Sequence, residues 1–134
     1  MISLEVAKKL KEAGLTWKPA IHDFFSVPFA DLEHRIFVLS DMTINQEILQ
    51  GWPALTFSGA MEWAMDYILT MDVVWMPTES QLREQIMVAG ELGKLILTCV
   101  DSDYEVSYEK DGVRHIFADS CAEDAYGKAL LNLL

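Results

Sequence analysis

Residues 104–134 read YEVSYEKDGVRHIFADSCAEDAYGKALLNLL, and this stretch decides the fold class. Tyr104 to Tyr108, which alternates apolar and polar residues, and the β-prone run Val113 to Phe117 flank Glu109-Lys110-Asp111-Gly112. Asp-Gly between two such runs is a strong hairpin signal, because both turn residues must take positive φ. Ser120 followed by Glu123 has the spacing of a capping box. It predicts a closing helix with Ala122, Ala125, Ala129 and Leu133 along its inner stripe. Strand, turn, strand, helix is the expected order.

Working outward, Leu95–Val100 (LILTCV) is a further strand candidate. Before it, Thr78 and Gln81 form a second capping-box pattern, opening a helix towards Glu91 with Leu82, Ile86 and Ala89 inward. Gly90 and Gly93 mark its end. At the other extreme Ser3 can cap a helix running to Ala13, with Val6, Leu10 and Ala13 inward and Gly14 as a left-handed stop. Phe24–Val27, Arg35–Leu39, Trp52–Phe57 and Val73–Met76 read as strands, Pro53 favouring an edge or a strand start. Residues 41–50 (DMTINQEILQ) suggest one weak helical turn. From Gly59 to Met71 (GAMEWAMDYILTM) only Glu62, Asp66 and Thr70 break an apolar run, and they recur every four residues. That pattern predicts a central, widely covered helix. Together the segments predict an α+β class: a single-domain α/β sandwich over residues 1–134, with a largely antiparallel sheet and about four helices.

Composition narrows the functions. The 134 residues carry 21 acidic against 10 basic side chains, a formal charge of −11, and 51% are hydrophobic. Such a chain can close a core and is not a disordered tail. The negative balance argues against direct nucleic-acid binding, which needs a surplus of Lys and Arg. The opening MISLEVAKKLKEAGL has Glu5 and Glu12 among its lysines, unlike a signal peptide. The uncharged run from Ile48 to Met61 contains Gly51, Pro53 and Gly59 and falls short of the ~20 apolar residues a membrane helix needs. Cys99 and Cys121 show no metal or redox spacing, so a reduced, cytoplasmic chain is the expectation.

Several segments carry a resemblance. MISLEVAKKLKEAGL, DFFSVP, RIFVLSDM, GWPALTFSGAMEWAMDYIL and VVWMPTESQLRE resemble small uncharacterised proteins of Gram-positive bacteria and their prophages. The resemblance reaches to about residue 85, and some members carry a pilus-assembly label. The tail from Tyr104 is similar to the ending of small phage proteins with an α/β/α sandwich. Neither group supplies catalytic or binding residues to carry over.

Candidate chemistry is sparse. Glu62 and Asp66, four apart, would project from one helix face as an acid/base or metal pair does. Their plainer role is the solvent stripe of a buried helix. Trp63 and Trp75, with methionines nearby, could line a ligand pocket with that pair, or simply pack a core. His22, His34 and His115 have no ligand spacing. Cys121 in a first helical turn could be a reactive thiol, or an inert, partly buried one. No catalytic constellation, cofactor motif or metal motif is present. Residues 101–124 hold eight carboxylates against Lys110 and Arg114, while residues 1–18 have Lys8, Lys9, Lys11 and Lys18 against two glutamates. A non-catalytic accessory protein with a protein partner is the leading expectation, and a small-ligand binder or modest enzyme the alternative. Four Trp, six Phe, four Tyr and seven Met also predict a homodimer, since such residues favour interfaces. Val73–Met76 or Phe24–Val27 would then be an exposed sheet edge.

Overall fold

The computed structural model describes residues 1–40, 44–57 and 67–134. The chain gathers into two compact units, one formed by Met1–Thr16 with Met76–Leu134, the other by Trp17–Trp75.

In the first unit, helix α1 (Leu4–Glu12) starts where Ser3 Oγ accepts the Val6 amide at 3.3 Å. It stops at Gly14, whose φ of +104° lets the Leu15 amide reach back to the Leu10 carbonyl at 3.0 Å. Helix α2 (Glu79–Gly90) opens with the complete Thr78–Gln81 capping box, as its sequence requires. Three antiparallel strands follow: β7 (Ile96–Val100), β8 (Asp103–Lys110) and β9 (Val113–Asp119), ordered β7-β8-β9. The β8–β9 turn has Asp111 and Gly112 at φ of 54° and 77°, the two-residue geometry that Asp-Gly favours. Helix α3 (Ala122–Leu131) closes the unit and packs on β8, β9, α1 and α2. Val106 and Tyr108 from β8 are buried, as are Leu10, Leu82, Ile86, Ala125, Tyr126 and Leu130 from the helices.

The Ser120–Glu123 capping box does not form. Cys121 is the N-cap residue and its side chain caps nothing. Instead Asp119 accepts the Cys121 amide at 3.0 Å, and Glu123 meets the Met1 amine at 3.0 Å. A tertiary partner has taken the carboxylate that the local motif needed.

In the second unit, β1 (Phe24–Ser26) is flanked antiparallel by β2 (Phe37–Val38) and β6 (Val74–Trp75). A second small sheet has the order β3 (Ile44–Leu49), β4 (Trp52–Phe57), β5 (Tyr67–Leu69), followed by a 3-10 turn at Thr70–Asp72. Phe25, Phe37, Leu39, Ile44, Leu55 and Ile68 share one core, with Trp17 and Phe57 against it. Trp17, Phe25, Phe37 and Phe57 form an aromatic chain with ring centres 5.4–6.2 Å apart. Buried Asp23 ties this core to the preceding loop, accepting from Trp17 Nε1 at 2.8 Å and the Ala20 amide at 2.9 Å.

Mixed helix and strand with antiparallel pairing agree with the expected class. The count does not: among the described residues there are three small sheets rather than one, and three α-helices. Two segments expected to be helical contain strands. Residues 44–49 form β3, because Gln50 and Gly51 at φ of 49° and 86° fold the segment back onto β4. The helix expected from Gly59 to Met71 does not extend through its end, since Tyr67–Leu69 pair with Ala54–Thr56. Residues 59–66 of that segment lie outside the described residues. Pro53 sits inside the middle strand, but at a position β5 does not reach, so its missing amide costs no ladder bond on that side.

Candidate functional site

Of the four residues singled out for a ligand pocket, Glu62, Trp63 and Asp66 lie outside the described residues. Trp75 is placed on β6 opposite Phe25, half-buried, with its indole N–H enclosed and without a hydrogen-bond partner among the described residues. His22 and His34 are exposed in loops, while His115 on β9 lies tilted against Tyr108 with ring centres 5.3 Å apart. No cluster of three His, Cys, Asp or Glu able to hold a metal occurs among the described residues.

Cys121 is not an activated thiol. Its Sγ lies 3.3 Å from both Glu123 Oε2 and the Met1 carbonyl. Burial, reinforced by the Glu123 and Asp124 carboxylates, pushes its pKa up, outweighing the Asp124 backbone amide that favours the thiolate. Cys99 is exposed on β7. The acidic stretch 101–124 is partly used up in structure. Asp119 pairs with Lys128 at 2.8 Å, Glu123 with the Met1 amine, and Asp124 accepts the Ser3 amide at 2.7 Å.

Two hollows of the first unit, among the described residues, meet at Lys94. The larger, about 650 Å³, is an open groove between α2 and the segment leading into β7. Arg83, Glu84, Met87 and Val88 stand on one face of α2, at helical spacings of three and four. Gly93, Lys94 and Leu95 form the opposite wall. Val88 is 77% exposed, unusual for a β-branched apolar side chain on a helix. The smaller hollow, about 240 Å³, lies on the sheet among Lys94, Ile96, Ser107, Glu109 and Arg114. Strand register explains its lining, since Ile96 stands opposite Ser107 and Glu109 opposite Arg114.

Three of the ten basic side chains therefore line these two hollows in a chain of charge −11. Arg83 is engaged by Glu79 at 3.3 Å. Lys94 and Arg114 make no ion pair among the described residues. Beside them runs β7, an edge strand. Its five residues, ILTCV, carry no charge, and Thr98, Cys99 and Val100 are exposed. The opposite edge, β9, is guarded. It contains Arg114 and Asp119, and Lys128 Nζ donates to the Ala118 carbonyl at 3.0 Å. Natural sheets protect edges with such charges, and β7 lacks them.

Sequence reasoning recognised β7 as a strand but placed the open edge elsewhere. Phe24–Ser26 is in fact a middle strand, and Val74–Trp75 lies at an edge of its sheet. The two adjoining hollows had no sequence signal, because residues 83, 94 and 114 that border them come from three separate elements. What the arrangement offers is apolar surface, free cations and unpaired strand backbone, which suits an extended peptide segment more than bond-making chemistry. No helix among the described residues is long and apolar enough to cross a membrane. No protein-family model matches the chain, and no curated protein or solved structure matches it.

Proposed function

We propose that this chain is a small acidic, non-catalytic interaction module that holds a protein partner by strand addition along β7. The observation that carries the reading is the uncharged edge of β7 lying beside the α2 groove. A segment laid against β7 gains main-chain hydrogen bonds, and side chains on one of its faces can settle among Met87, Val88 and Leu95. Lys94 and Arg114 favour a carboxylate at the Lys94 end of such a segment. The overall charge works against a polyphosphate partner.

The test is selection of binding peptides from a random library on the full chain, followed by amide-shift mapping. Bound peptides are expected to shift the amides of residues 96–100 and to be lost in Thr98→Lys, which places a charge on the exposed edge. Shifts confined to other elements, or binding indifferent to Thr98→Lys, overturn the proposal.

A further inference from the structure

We infer that the occupant of the β7 edge is a second copy of this chain, the two β7 strands pairing antiparallel about a two-fold axis. This rests on the reading of β7 as the docking edge and names its partner.

A two-fold interface must be complementary to itself. The β7 strand meets that condition along its length. It is uncharged from Ile96 to Val100, with Lys94 before it and Asp101 and Asp103 after it. Antiparallel pairing brings the Lys94 end of one strand beside the Asp101 end of the other, twice over by symmetry. That local attraction opposes the repulsion between two chains of −11 each. An axis perpendicular to the sheet keeps the helices of both copies on the same side. It sets each α2 groove facing its counterpart, covering the exposed Val88 and Val100. The guarded edge β9 would then terminate a six-stranded sheet at each end, so the assembly closes at two copies.

The experiment is light scattering across protein concentration on the full chain and three variants, with circular dichroism as the check on folding. The wild type is expected at twice 15.2 kDa. Thr98→Lys, which sets like charges near each other across the axis, is expected to be monomeric with unchanged helix content. Lys94→Glu should weaken the dimer about tenfold, and Lys94→Glu with Asp101→Lys should restore it. A monomeric wild type at concentrations approaching about 1 mM overturns the second copy, as does a dimer that survives Thr98→Lys. Loss without rescue in the paired variant overturns the antiparallel arrangement. If the wild type is monomeric but selected peptides still shift β7, only the identity of the occupant fails. If neither copies nor peptides touch β7, the docking edge fails with it.

Discussion

Gly127 of α3 lies so close to Val6 of α1 that a Cβ on Gly127 would fall within the Val6 side chain. Glycine is present there because the two helices approach backbone to side chain, not because a turn demands it. Gly127→Ala should therefore destabilise the chain by about 1–3 kcal/mol, although alanine is the better helix former. Val6→Ala in the same background should recover part of the loss. Urea denaturation of the two variants checks this, and equal or greater stability of Gly127→Ala would contradict the packing.

Asp23 is the polar anchor of the second core. Its carboxylate accepts from the Trp17 indole and the Ala20 amide in a nearly inaccessible position. Asp23→Ala leaves those donors without their acceptor and should cost about 1–3 kcal/mol. The Trp17 ring, packed on Phe25 at 5.6 Å, should loosen, and tryptophan fluorescence should shift to longer wavelength before global unfolding.

Acid should act on Asp119. Lys128 at 2.8 Å, helped by the Cys121 amide, lowers its pKa in the folded chain. A depressed folded-state pKa gives stability that is present above the ordinary carboxylate pKa and lost as pH falls through the folded value. The pair is partly exposed and screened, so the effect is small. Lys128→Met should flatten the fall in melting temperature between about pH 4 and pH 2, while leaving the neutral-pH slope unchanged. An unaltered acid limb would show that the pair contributes nothing.

The cysteines should differ in reactivity. Cys99 is exposed, whereas Cys121 is partly buried and faces Glu123, which raises its pKa. At low protein concentration and mildly alkaline pH, a maleimide should modify Cys99 at least about tenfold faster. Mass spectrometry of the tryptic peptides reads the order directly. Preferential modification of Cys121 would refute the arrangement at the start of α3.

Features that depend on a few neighbouring residues were legible without a structure. Ser3, the Thr78–Gln81 pair and Asp111-Gly112 act within three or four positions of themselves, so their helix starts and hairpin follow from local chemistry. The same local logic misread Ser120–Glu123, whose glutamate bonds across 122 positions to the Met1 amine. It also misread residues 44–49. Ile44 and Ile48 stand four apart as on a helix, yet pairing with β4 makes them a strand. Tyr67–Leu69 became β5 for the same reason, since cross-strand contacts outweigh weak helical preference.

Composition alone determined that the chain is acidic, rich in apolar groups and poorly suited to phosphate backbones. Tertiary structure decided where those groups stand. Edge status belongs to the order of strands in a sheet, so only the β7-β8-β9 arrangement exposes ILTCV. Likewise Arg83, Lys94 and Arg114 border adjoining hollows because a helix, a connecting segment and a distant strand end near one another. No periodicity in the chain encodes that meeting, since the folding of a helix–strand unit brings it about.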